Sequence, residues 1–177
     1  MSRFLVFAPL ALFLALAVYF AVGLREDPTD IPSQLIDAPL PEFDLPPIQE
    51  FDEGLSSADL TGEVVLLNYF GSWCPPCLVE HPMLMQIARS GEVPIYGIDW
   101  RDPPGAGTAW LQRHGNPYTR IGDDASGRLA IEFGITGAPE TFVIDREGRV
   151  RYRHVGVITQ DVWRETLRPM IEALREE

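Results

Sequence analysis

Seven residues, VVLLNYF (64–70), run directly into GSWCPPCLVEHP (71–82), which holds the only two cysteines of the 177-residue chain. A run so poor in polar alternation suits a strand covered on both faces. The residues after it, 75–90, have helical spacing, with Leu78, Leu84, Ile87 and Ala88 on the apolar side and Pro82 inside, where a kink is expected. The cysteines Cys74 and Cys77 therefore stand where a buried strand hands over to a helix. Open α/β sheets place their chemistry at such points.

The rest of the pattern fits that frame. VPIYGIDW (93–100) predicts a second buried strand, GTAWLQRHG (107–115) a short helix ending at Gly115, and residues 126–133 another helical piece. TFVID (141–145) and VRYRHVG (150–156) flank a turn around Gly148 and predict an antiparallel hairpin. The chain closes as a helix capped by Thr159, with Val162, Trp163, Leu167, Met170, Ile171 and Leu174 as its apolar stripe and Pro169 inside it. The expected fold class is α/β: a mixed central sheet with helices on both faces, over residues 43–177.

Two segments precede this domain. Phe4 to Leu24 is a 21-residue run without a charge. As a helix it would be about 30 Å long, the thickness of a bilayer core. Arg3 and the amino terminus flank one end, and Arg25, Glu26 and Asp27 the other, which favours an N-terminus-in orientation. A cleaved signal peptide is the rival, with AVG (21–23) as small residues for a peptidase, but the run exceeds the roughly 7–15 residues of a signal core. Residues 1–25 are thus expected to be an uncleaved anchor, and 26–42 a proline-rich tether. Either route puts the folded part outside the cytoplasm, where disulfide chemistry is permitted. The net charge of −12, with no lysine among the 14 basic residues, argues against a nucleic-acid partner.

Four chemistries are open to a CxxC pair. Covalent haem attachment needs a histidine directly after the second cysteine, and that residue is Leu78. A structural zinc site needs about four ligands, and beyond the two cysteines only His81, His114 and His154 could help. An inert staple over so short a loop would contribute only about 2 kcal/mol. The redox reading explains more. Cys74 at a helix N-terminus has a favoured thiolate and serves as nucleophile; Cys77, one turn on, resolves the mixed disulfide. Pro75 and Pro76 lack N–H groups and so remove donors that would otherwise stabilise the Cys74 thiolate. A less stabilised thiolate makes the pair a better reductant.

WCPPC after an apolar strand, with a proline five residues past the second cysteine, resembles the thioredoxin fold. GITGAPETFVID (134–145) resembles the second half of that site, its cis-proline loop. Together with IPSQLIDAPLPEFDLP, WLQRHGNPY and RYRHVG, these stretches are similar to the DsbE/CcmG group of cytochrome c maturation proteins, from about Ile31 to the C-terminus.

The resemblance implies a thioredoxin-like domain on a membrane anchor, facing the periplasm from the bacterial inner membrane, without a cofactor or metal. It implies a thiol-disulfide oxidoreductase that reduces the cysteines of apocytochrome c, or of a maturation partner, and draws electrons from a membrane thiol transporter of the CcdA/DsbD kind. It further implies that Pro139, after Ala138, binds extended substrate backbone, and that the site is acidic, with Glu80 and Glu140 as candidates for proton transfer or pKa tuning. Thioredoxin has a buried aspartate where this chain has Asn68; an amide cannot carry a proton, which leaves the two glutamates. Trp73 is expected beside Cys74, shielding it or touching the partner. Asp99, in GIDWRD, is either one more acid near the site or a strand-end residue, and His81 is expected to be exposed on its helix. Two other functions compete: an anchored reductase of the ResA/TlpA kind with a different client, and a Cu(I) delivery protein that uses the thiolates as ligands.

Overall fold

A computed structural model describes residues 3–23 and 35–177. The N-terminal helix α1 (Arg3–Gly23) contains Pro9 and forms a unit of its own. Its described side chains, Phe7 and those of residues 9–20, are exposed. Counted over the described residues, no helix is long and apolar enough to cross a membrane. The charged flank Arg25–Asp27 and the first part of the expected tether lie outside the described residues.

In the second unit the tether's last residues are tied down. Ile36 bridges to Val150 and Pro39 to Arg149, and Asp37 N donates to Val150 O at 2.7 Å. A two-stranded ribbon follows, β1 (Asp44–Leu45) with β2 (Leu55–Ser56), and then a 3-10 turn, Ser57–Leu60. The central elements alternate as β3 (Val65–Phe70), α2 (Pro75–Ser90), β4 (Ile95–Trp100), α3 (Ala106–His114), β5 (Ile121–Asp124), α4 (Arg128–Glu132), β6 (Glu140–Ile144) and β7 (Val150–Val155). The chain ends in α5 (Gln160–Val162), a π-type stretch at Trp163–Leu167 and α6 (Arg168–Glu176).

The five-stranded sheet has the order β5-β4-β3-β6-β7. β4 runs parallel to β3 and to β5, whereas β6 is antiparallel to β3 and to β7. The mixed sheet with a terminal hairpin is the architecture expected from the sequence. β5, β1 and β2 are the elements that periodicity does not reveal. β5 reads IGDD and lies at the sheet's edge, with Ile121 its one large apolar residue.

Side chains of β3 alternate between two cores. Leu66 and Phe70 join Leu84 and Ile87 of α2, Trp110 of α3, and Trp163, Leu167 and Ile171 of the C-terminal segment. Val65, Leu67 and Tyr69 join Leu129, Phe133, Phe142 and Leu60 on the other face. The C-terminal helical segment survives Pro169. The widened turn before it, with Arg168 N donating to Trp163 O, leads into the proline at the start of α6, where a missing N–H is tolerated. Thr159 caps α5 as expected, its hydroxyl accepting from Val162 N at 3.2 Å.

α2 departs from its expected stripe. Leu78 is 46% exposed, and the buried positions are Cys77, Glu80, His81, Leu84 and Ile87. His81, expected on the surface, is buried. Its ring stands edge-on to Trp110 with centroids 4.5 Å apart, and Nε2 lies 3.1 Å from Gly115 O. Burial pushes the pKa of His81 down, so its neutral form donates to that carbonyl.

Candidate active site

β3 ends at Phe70, and the turn Gly71–Cys74 is closed by Cys74 N donating to Gly71 O at 3.1 Å. Cys74 is the N-cap of α2, followed by Pro75 and Pro76 as its first two helical residues. Cys77 N donates to Cys74 Sγ at 3.1 Å. An α-helix leaves its first N–H groups free. Here the first two do not exist, so the Cys74 sulfur has a single close donor from the helix. The two sulfurs are joined as a disulfide. Both cysteines are buried, while Trp73, Pro75, Pro76, Leu78 and Val79 around them are exposed.

The second half of the site comes from the loop before β6. The Ala138–Pro139 bond is cis, and Ala138 O lies 3.2 Å from Cys74 Sγ. Trp73 is half exposed and is no core residue; its Nε1 donates to Trp100 O at 3.0 Å.

The two glutamates have opposite fates. Glu80 lies one turn beyond Cys77 on α2 and points into the core at 1% exposure. Its Oε1 accepts from Asn68 Nδ2 and its Oε2 from Ile158 N, each at 2.9 Å. Asn68 is fixed in turn: Nδ2 also donates to Thr141 Oγ1 at 2.9 Å, and Oδ1 accepts from Tyr118 OH at 2.8 Å. Gly97 makes room for Tyr118, because a Cβ there would stand 2.9 Å from the ring. Burial raises the pKa of Glu80 to about 7, against the pull of its hydrogen bonds from Ile158 and Asn68.

Glu140 is not brought to the cysteines. Asn68 and Thr141 are cross-strand partners on the cysteine face, so Glu140, paired with Tyr69, faces the other way. Its Oε1 accepts from Thr136 N, Thr136 Oγ1 and Gly137 N at 2.7–3.0 Å, and Oε2 meets both Nε and Nη2 of Arg153 at 2.8 and 2.6 Å. It anchors the loop that carries Ala138 and Pro139 and does not face sulfur. Asp99 is buried at the end of β4, beside Asp102 and, across the strand pair, Asp123. Burial first, then these two neighbours, push its pKa to about 9. Among the described residues no three His, Cys, Asp or Glu side chains are grouped to hold a metal.

Residues 36–167 match the redoxin family. Over 177 residues the chain is 45% identical to the thiol:disulfide interchange protein DsbE of Pseudomonas aeruginosa, covering all of this chain and 98% of that one. The chain belongs to the DsbE family. The DsbE of Escherichia coli is 37% identical over 183 residues, covering all of this chain and 98% of that protein. A crystal structure from Chlorobium tepidum described as a thiol:disulfide interchange protein DsbE superposes with a TM-score of 0.66 at 27% identity, over 77% of this chain and 94% of the other. The DsbE-family fold seen here is therefore thioredoxin-like, and the protein is a thiol-disulfide oxidoreductase.

The exchange follows from the cysteine pair. Starting from the dithiol, the thiolate of one cysteine attacks a partner disulfide, forming a mixed disulfide and expelling one partner thiolate. The thiolate of the other cysteine then attacks the first cysteine's sulfur, the intramolecular disulfide forms, and the second partner sulfur leaves. Two electrons pass to the partner. Both cysteines are buried, so the thiol that acts second must lose its proton inside the site.

Of these features, WCPPC and the GAPETF loop are legible in the sequence. Asn68 stands out only through the family resemblance, and Tyr118 and Ile158 do not stand out at all, because the bonds that tie them to Asn68 and to Glu80 span 50 and 78 residues.

Proposed function

We propose that this protein is a reductant of apocytochrome c cysteines, or of a maturation partner carrying them, held at the bacterial inner membrane by its N-terminal helix with the redox domain in the periplasm. The observation that carries the reducing direction is the N-terminus of α2: Pro75 and Pro76 leave Cys77 N as the helical donor to Cys74 Sγ. A thiolate with fewer donors is less stable, its disulfide is harder to reduce, and the dithiol gives up electrons more readily. Glu80, with its pKa near 7, is suited to take the Cys77 proton in the resolving step.

The client and the location rest on likeness: relatives named DsbE match the chain over its full length, the N-terminal run included. The uncharged run Phe4–Leu24 extends beyond the described side chains of α1 at both ends, and at full length it reaches about 30 Å as a helix. Electrons would come from a membrane thiol transporter of the CcdA/DsbD kind.

Deleting the gene tests the role. The expected result is loss of c-type cytochromes, restored by a small thiol added to the medium. Unchanged cytochromes in a strain also lacking other periplasmic reductases would sink the cytochrome role and favour a client of the ResA/TlpA kind.

A further inference from the structure

The turn that presents Cys74 is gripped by a segment outside the CxxC and cis-proline motifs. Its two central residues, Ser72 and Trp73, are both held by Trp100–Asp102, at the C-terminal end of β4. Trp73 Nε1 donates to Trp100 O at 3.0 Å. Ser72 N donates to Asp102 Oδ2 at 2.7 Å and Ser72 Oγ to Asp102 Oδ1 at 2.8 Å. Both carboxylate oxygens of Asp102 are thus committed to one residue, two positions before the nucleophile.

The residue between the two holding points, Arg101, has φ of 53°. This left-handed conformation is uncommon for a residue with a Cβ. Its N–H donates to Asp124 O at 3.2 Å, and its guanidinium lies 5.8 Å from the Trp100 ring centroid. The side chain also packs against Gly127, where a Cβ would collide with it. Those contacts hold the backbone turned so that a carbonyl and a carboxylate reach the same redox turn.

Behind Asp102 stands Asp99, 4% exposed, whose Oδ1 has no hydrogen-bond partner. Asp99 and Asp102 line a partly open cavity of about 80 Å³, together with Asp123 and Thr108. Gly107 of α3 closes over Asp99, since any Cβ there would strike Asp99 Oδ2. The ionisable groups acting on Asp99 are Asp102 and Asp123, and Tyr118 lies within its field. Its raised pKa leaves Asp99 protonated at neutral pH, able to donate to Asp102.

We propose that Asp102, backed by Asp99, is a positioning residue for the redox turn: it holds Ser72, and so keeps the Cys74 sulfur aligned on the Cys77 N–H. Asp102 touches neither sulfur nor partner and acts through the turn. Two effects of opposite sign separate positioning from simple charge. Loss of alignment takes the Cys77 N–H away from the Cys74 thiolate and raises the thiol pKa. Loss of a nearby negative charge lowers it.

The test uses full-length protein and four variants: Ser72→Ala, Asp102→Asn, Asp102→Ala and the double variant Ser72→Ala/Asp102→Ala. The Cys74 thiol pKa is read from ultraviolet thiolate absorbance, and the reduction equilibrium from mixtures with glutathione. Circular dichroism checks folding. Positioning predicts that Ser72→Ala, which changes no charge, cuts the thiolate fraction below the pKa about fivefold, the worth of one hydrogen bond. Asp102→Ala should also raise the pKa, by less than the lost alignment alone because the lost charge pulls the other way, and the double variant should match Asp102→Ala. Asp102→Asn loses the same charge but keeps one oxygen acceptor for Ser72, so its pKa should lie below that of Asp102→Ala. A lowered pKa in both Asp102 variants, with Ser72→Ala titrating as wild type, would leave only a field effect and overturn the proposal. Unchanged titration in all variants would overturn it too. If Asp102→Ala does not fold, Ser72→Ala and Asp102→Asn still decide.

Discussion

Glu80 and Glu140 are both glutamates at 1% exposure or less, and they lie on opposite faces of one sheet. Their surroundings make them different chemical objects. Glu140 has the Arg153 guanidinium against it, with a hydrogen bond from Nε and an ion-pair contact from Nη2, and three more hydrogen bonds from Thr136 and Gly137. Glu80 has two neutral donors, and among the described residues no cation pairs with it. The first ties the cis-proline loop to β7. The second sits near the point where either protonation state is accessible, at about 7. Burial without a compensating charge is what raises the pKa of Glu80.

Removing that charge should break the difference. Arg153→Met leaves Glu140 buried and unpaired, and breaking a buried ion pair in this way costs about 3–5 kcal/mol. Urea unfolding at neutral pH should show the loss. A loss of under about 1 kcal/mol would mean the pair is worth no more than a surface bridge.

The converse prediction concerns stability against pH. Glu80 titrates at 4.5 when unfolded and at about 7 when folded, so the folded state binds its proton more tightly. Stability from this residue is complete below 4.5, falls as pH rises to 7, and is flat above. The span corresponds to about 3 kcal/mol. Glu80→Gln cannot ionise, so its stability relative to wild type should rise by that order between pH 4 and pH 8. The Asp99 contribution, common to both proteins, cancels. A difference constant with pH would place the Glu80 pKa back near 4.5.

The contrast between the glutamates is the part of the site least visible in the sequence. The strand running into WCPPC gives β3, α2 and the missing N–H groups directly, because all of these are local. The hairpin follows from the turn at Gly148, where Gly148 N donates to Asp145 O at 3.1 Å. Spacing alone leaves Glu80 on a face of α2 next to that of Cys77, without saying whether that face meets water or the sheet. It meets the sheet, and His81 beside it meets Trp110. Glu140 follows the cis-proline by one residue, yet strand alternation turns it to the far face. Asp102 acts through Ser72, 30 residues away. Side chains that gain their role from a distant partner carry no local signature.

Catalysis should separate the glutamates next. Glu80→Gln should slow release of a reduced CxxCH peptide from the mixed disulfide by about a hundredfold, the lower range for loss of a general base. The wild-type rate should rise with pH through about 7, and the variant should lack that limb. Glu140→Gln should keep it, with its effect confined to stability and peptide affinity. A pH limb retained in Glu80→Gln would move the proton to another acceptor.

The smallest effect should come from Tyr118→Phe, which touches Glu80 only through Asn68. Its hydroxyl donates to Asn68 Oδ1, and that amide donates to Glu80 from its other end. Without the hydroxyl, the buried amide oxygen loses its partner, at a cost of about 1 kcal/mol. The amide is also freed to turn and is less polarised as a donor. Both changes weaken the hydrogen bond that favours the Glu80 carboxylate, so the pH midpoint of the resolving step should move up, by less than one pH unit. Thr141→Val removes the acceptor of the second Asn68 Nδ2 hydrogen; an amide that donates to one acceptor instead of two bonds that one more strongly, so the midpoint should move down. Opposite shifts in the two variants would show that Asn68 tunes Glu80 through its orientation. Shifts of the same sign would reduce Asn68 to a packing residue between β3 and β6.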